Sequence, residues 1–183
     1  MTAINMSKYL KLILLSAVLS TALQTAYSQP KSVGASFSYT GFGIVYEHVL
    51  KEGNSFVEVG LKADVSESLQ DRAPYPGLIC SFTWNIVLKE WKTSEDTVMK
   101  LFAGPGIIAG YTQDHREKPG LMFGMKGRFG VEAEFIRNIS LSLSISPVIG
   151  SHISDELDHM SMRYYKNGLI YSLVPDIGIK YRF

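Results

Sequence analysis

From Tyr171 to Phe183 the odd positions are apolar or aromatic: Tyr171, Leu173, Pro175, Ile177, Ile179, Tyr181 and Phe183. The even positions carry Ser172, Asp176, Gly178, Lys180 and Arg182, with Val174 alone out of pattern. A period of two describes a β-strand with one apolar and one polar face. At a rise of about 3.3 Å per residue and a tilt near 40°, a strand of this length climbs about 33 Å, enough to cross a membrane.

The same alternation recurs upstream, giving eight predicted strands over 33–39, 42–50, 55–65, 78–91, 98–111, 121–136, 140–151 and 171–183. In the third, Val57, Val59, Leu61, Ala63 and Val65 oppose Glu58, Gly60, Lys62 and Asp64. In the fourth, Leu78, Cys80, Phe82, Trp84, Ile86 and Leu88 oppose Ser81, Thr83, Asn85 and Lys89. The sixth sets Phe123, Met125, Phe129, Val131, Ala133 and Phe135 against Gly124, Lys126, Arg128, Gly130, Glu132 and Glu134. The fifth is the weakest pattern, with Leu101, Ala103, Pro105, Ile107 and Tyr111 outward and Lys100, Gly104, Gly106 and Gly110 inward.

Connections differ between the two ends. Compact turns are expected at 51–54, 93–97 and 137–139, and longer loops at 66–77, 112–120 and 155–167, with a tight first link at Thr40-Gly41. A two-residue Glu52-Gly53 turn would set Glu47 directly opposite Glu58. Facing carboxylates repel. That register therefore predicts an inward cation between them: Arg182, Lys180 or Lys100.

The polar face is rich in Gly and Ser beside its charges. This suits the narrow lumen of an eight-stranded barrel, which has room only for side chains. A soluble ligand-binding barrel would turn its apolar face inward. Aromatic residues gather at both strand ends: Tyr39, Phe42, Tyr111, Phe123 and Tyr171 at the loop end, and Phe135, Tyr181 and Phe183 at the turn end. Two interfacial girdles of this kind mark an antiparallel barrel in a bacterial outer membrane.

The amino-terminus fits export. Lys8 and Lys11 precede an apolar run from Leu12 to Leu23, and Ala26-Tyr27-Ser28 supplies small residues for cleavage before Gln29. Residues 1–28 are therefore expected to form a signal peptide and residues 29–183 one barrel domain in the outer membrane of a Gram-negative bacterium. The net charge of +1, without a basic block, leaves no nucleic-acid partner to expect. The single cysteine, Cys80, shares parity with Leu78, Phe82 and Trp84 and is expected as a free thiol facing lipid.

Over residues 31–183, with the terminal Gly178-Ile-Lys-Tyr-Arg-Phe183, the chain resembles the small eight-stranded outer-membrane β-barrel families, including the OmpA-type membrane domain. The soluble peptidoglycan-binding domain that often follows such a barrel is not expected here, so that role is not implied. The resemblance implies contact with outer-membrane lipid and lipopolysaccharide. An extracellular ligand or partner protein would be met by loops 66–77, 112–120 and 155–167.

The inward charges are balanced, with Glu47, Glu58, Asp64, Glu132, Glu134 and Asp176 against Lys62, Lys100, Lys126, Arg128, Lys180 and Arg182. They read as a salt-bridged plug, because burying unpaired charge is costly. An ion path is the other reading, disfavoured by the small charged lumen. No catalytic, cofactor or metal residue is assigned. The alternative is a hydrolase using the His-x-Ser pair His152 and Ser154, which lie on one face of a strand. Lipid A deacylases, which the pair resembles, would make His152 the base and Ser154 the nucleophile. Asp155 stands where that family has Asn, and parity turns both residues inward unless a bulge near Pro147 or Gly150 intervenes. Glu156 and Asp158 are loop neighbours of the pair, and the acidic stretch ending at His159 reads as a solvated loop. The chain is thus expected to be a non-enzymatic structural or surface-binding barrel.

Overall fold

The computed structural model describes residues 30–50, 54–66, 76–115, 118–135, 138–156 and 159–183. The expected signal peptide, the Glu52-Gly53 turn and most of loop 66–77 lie outside the described residues. The strands are β1 (Lys31–Ser38), β2 (Gly41–Val49), β3 (Ser55–Asp64), β4 (Gly77–Ser94) and β5 (Thr97–Gln113). They continue as β6 (Pro119–Phe135), β7 (Ile139–Ile145), β8 (Val148–Glu156), β9 (His159–Tyr164) and β10 (Asp176–Arg182). A short helix, α1 (Lys166–Ile170), lies between β9 and β10.

All pairings are antiparallel, in the order β5-β4-β3-β2-β1-β10-β7-β6-β8-β9, and a further β5–β6 pairing closes the ring. Both β7 and β8 pair with β6, at its two ends, so they count as one wall strand and the up-and-down barrel has eight. The seam joins β1 to β10, from Ser32 opposite Arg182 to Ser38 opposite Asp176. There the Phe183 amide donates to the Lys31 carbonyl at 2.8 Å, and the Lys31 amide donates to that of Phe183 at 3.3 Å. Closure of the ring gives its strands partners on both sides, while β9 pairs only with β8 among the described residues.

Alternation sorts the side chains inside out. Val33, Phe37, Ile44, Val59, Phe82, Trp84, Ile107, Leu143 and Ile177 are exposed on the outer face, while Glu47, Glu58, Thr83, Asn85, Glu132, Ser142 and Lys180 are buried inside. Cys80 is free and exposed between Leu61 and Ala109, on the outward side expected of it. The β2–β3 register is the expected one, with Glu47 opposite Glu58 and the Leu50 amide donating to the Ser55 carbonyl at 2.9 Å.

Several boundaries differ from expectation. The last strand begins at Asp176, not Tyr171. Pro175 cannot donate to a ladder, and the Tyr171 and Ser172 amides donate instead to the α1 carbonyls of Asn167 and Leu169, at 3.0 and 3.2 Å. The expected loop 155–167 contains the end of β8, all of β9 and the start of α1. Loop 112–120 is shorter than expected, because Thr112 pairs with Gly120 and Gln113 with Pro119. The first link turns at Tyr39-Thr40, and Gly41 already belongs to β2. Lys89, expected inward, is exposed: a register shift between Val87 and Lys89 sets it opposite outward-facing Leu101. The seventh strand is interrupted at Ser146-Pro147, yet its register with β6 is continuous. Phe129 faces Ile145 before the break, Lys126 faces Val148 after it, and the Gly127 amide donates to the Pro147 carbonyl at 2.9 Å.

Candidate functional site

The lumen holds the chemistry. Lys180 projects from β10 between Gly34 on β1 and Ser140 on β7. These small neighbours leave its stem free to cross the barrel. Its Nζ bonds to Glu47 of β2 and Glu132 of β6, and lies 4.0 Å from Glu58 of β3. Arg128 of β6 forms an ion pair with Glu58, and its Nε donates to Ser144 Oγ at 3.2 Å. Ser32 Oγ donates to Glu47 Oε1 at 3.4 Å. The paired carboxylates thus receive their inward cation, and of the three candidates it is Lys180.

Lys100 and Arg182 sit nearer the turns and converge on Glu134, with Lys100 Nζ at 2.5 Å and the guanidinium of Arg182 held through two nitrogens. An aromatic pair packs beside the ion layer: the Phe56 and Phe102 rings are 5.3 Å apart in an edge-to-face arrangement. Arg128 lies 5.1 Å from the Phe102 ring centre, and Lys180 5.7 Å from that of Phe56. These cation–π contacts partly replace lost hydration. Sequence reasoning did not single out this pair, although Phe56 shares parity with Glu58 and Phe102 with Lys100. It also missed Arg128 as the partner of Glu58, because β3 and β6 meet only across the lumen.

Toward the loops the lumen widens into a cavity of about 110 Å³. Lys62 Nζ donates to Ser38 Oγ and Thr40 Oγ1, both at 2.6 Å, and lies 4.0 Å from Asp176. Asp64 accepts from Thr112 Oγ1 at 2.7 Å and from the Ser66 amide at 3.1 Å. α1 closes one side. Tyr165 gives its N-terminus no side-chain cap, and Asp114 supplies one from the β5–β6 connection, accepting from the Lys166 and Asn167 amides at 2.9 and 2.8 Å.

His152 and Ser154 both face the lumen, 1% and 4% exposed, because no bulge reverses β8. The His152 Nε2 atom lies 2.9 Å from the Thr112 carbonyl. A carbonyl only accepts, so Nε2 donates and carries the proton. The imidazole also stacks on Tyr165, with ring centres 6.5 Å apart. Ser154 pairs with Gly120 on one side and Ser161 on the other. The arrangement anchors the histidine to the wall and presents neither side chain to the outer surface. Asp158 lies outside the described residues. Among the described residues no three His, Cys, Asp or Glu side chains converge as a metal site.

No family model matches the chain, and no curated protein does. Two solved structures are similar to it. The N-terminal β-barrel domain of Pseudomonas aeruginosa OprF is 9% identical with a TM-score of 0.48, over 85% of this chain and 97% of that one. A major outer membrane protein from Thermus thermophilus is 14% identical with a TM-score of 0.47, over 86% of this chain and all of that one.

Proposed function

We propose that this chain is an integral barrel of a bacterial outer membrane, closed to ions, with a structural and surface-binding role and no enzymatic activity. The observation that carries the reading is the inverted burial. Outward Ile44, Ile107, Met125 and Ile149 are 62%, 63%, 69% and 62% exposed, while Glu47, Glu132 and Lys180 are at most 3% exposed inside. Water-soluble monomers seldom expose continuous apolar surface on this scale. Exposed Tyr39, Phe42, Tyr111 and Phe123 at one end, with Phe135, Tyr181 and Phe183 at the other, fit two headgroup girdles. A signal peptide over residues 1–28, cleaved before Gln29, would deliver the barrel. The β8–β9 hairpin and α1 would then stand at the cell surface, where lipopolysaccharide and any partner would meet them.

Fractionation and planar-bilayer recording test this reading together. The protein is expected in the outer-membrane fraction, with no steady conductance at neutral pH. Recovery in the soluble periplasm, or a large steady conductance, would overturn the assignment. Lipid A mass spectra from cells expressing the chain and its His152→Ala variant are expected to be identical. An acyl loss that disappears in the variant would establish a deacylase instead.

A further inference from the structure

Every cation of the ion layer has a carboxylate partner. Lys126 does not: it forms no hydrogen bond or ion pair with any described residue. Its ladder neighbours are Gly106 on β5 and Val148 on β8, neither of which has a polar side chain. The charges around it are Arg128, Lys62, Glu58 and Asp176. Both carboxylates are already engaged, Glu58 by Arg128 and Asp176 by Lys62 at 4.0 Å. Asp64 lines the same loop-end cavity and brings its charges into balance, but Asp64 is held by Thr112 and the Ser66 amide, so Lys126 is the cation left without a carboxylate partner.

The unpartnered Lys126 borders open space. Lys126 lines the loop-end cavity of about 110 Å³ and a smaller one of about 40 Å³, and both are also lined by Lys62, Ser81 and Ser146. Apolar Ile79 and Val148 also line the larger cavity, Val148 directly beside Lys126. A water needs roughly 10–15 Å³ of such room, so the larger cavity accommodates several waters or one small polyatomic anion. A recess of about 170 Å³ at the turn end is bordered by Glu134 and Arg182, which satisfy each other, and by Asp96, whose carboxylate would repel an anion.

We propose that the loop-end cavity binds a single oxyanion group, a phosphate or a carboxylate, with the Lys126 ammonium as its main partner and Lys62 as its second. The hydroxyls of Ser81 and Ser146 are the available neutral donors. An anion held here supplies the counter-charge that half-buried Lys126 lacks. The oxyanion belongs either to a small solute entering from the loop end or to a lipid headgroup reaching past α1. The proposal stands on the lumen geometry and does not depend on where the barrel resides.

The test uses the full chain folded in dodecyl maltoside micelles. In one arm inorganic phosphate replaces chloride at constant ionic strength, and binding is read by calorimetry. In the other, phosphatidylglycerol is doped into phosphate-free micelles, and retained lipid is read by native mass spectrometry. Saturable one-to-one binding is expected in at least one arm, and the arm identifies the source. Lys126→Gln should weaken it at least ten-fold and Lys62→Gln should weaken it less, while Lys92→Gln, at an exposed position near the turns, should leave it unchanged. Heat-modifiable gel mobility confirms folding of each variant. Should Lys126→Gln fail to fold, Lys126→Arg, expected to retain binding, and Lys62→Gln carry the comparison. No saturable binding in either arm, or equal affinity in Lys126→Gln, would overturn the site.

Discussion

Lys180 shows how one side chain can organise a lumen. It is 2% exposed and serves Glu47 and Glu132 directly, with Glu58 4.0 Å away. Removing one member of a buried ionic cluster leaves its partners unpaired, which typically costs about 3–5 kcal/mol. Lys180→Met is therefore expected to lower stability by about that amount, read as a shift in the urea midpoint of the folded, heat-modifiable band. Adding Glu47→Gln and Glu132→Gln should recover part of the loss, because the orphaned charges go with it. A Lys180→Met barrel as stable as the parent would show that the cluster contributes nothing net. Much of this cluster was legible in the chain. Parity put Lys180 and both glutamates on one face, and the turn expected at Glu52-Gly53 predicted the register in which Glu47 lies opposite Glu58. The choice among Lys180, Arg182 and Lys100 was not legible, because it depends on height within the barrel. That height is set by the stagger of non-adjacent strands, which no local pattern records.

Among the elements, α1 and the shortened β10 depart most from the alternating pattern. Tyr171, Leu173 and Pro175 keep the period of two yet lie outside β10. Over so few residues the period is compatible with a turn, and only Pro175 argued against a strand. A five-residue helix has no amphipathic signature of its own. Its support comes from Asp114, a residue more than fifty positions away that caps its amides. Asp114→Ala is expected to cost about 1 kcal/mol, as loss of an N-cap does. The cost should appear locally, as faster amide exchange at Lys166 and Asn167 and new proteolytic cuts between residues 165 and 175. Unchanged exchange at both amides would mean that the wall, and not the cap, holds the helix. The β8–β9 hairpin was hidden for a related reason: the acidic stretch ending at His159 reads as solvated loop, and nothing in the alternation after Ser151 required a partner strand.

The molecule as a whole is fixed by closure, and the inward glycines let it close. A Cβ on Gly104 would overlap the Trp84 carbonyl across the β4–β5 ladder. Gly104→Val is accordingly expected to abolish the heat-modifiable band, whereas Gly127→Ala, whose Cβ would meet only Pro147 at ordinary contact distance, should fold normally. Equal yields of both variants would show that the wall can shift to admit the side chain. Fold class was readable from period alone, since eight alternating segments with Gly and Ser on one face admit few other arrangements. The seam has a consequence in time. Seven of the eight wall contacts join segments near one another in sequence, but β1 and β10 lie at opposite ends of the strand-forming chain. Their meeting carries the longest loop-closure entropy in the molecule and cannot nucleate anything else. The ring should therefore assemble as an open curved sheet and zip shut last, so the rate of folding is set by how quickly two free edges find each other before either finds another chain.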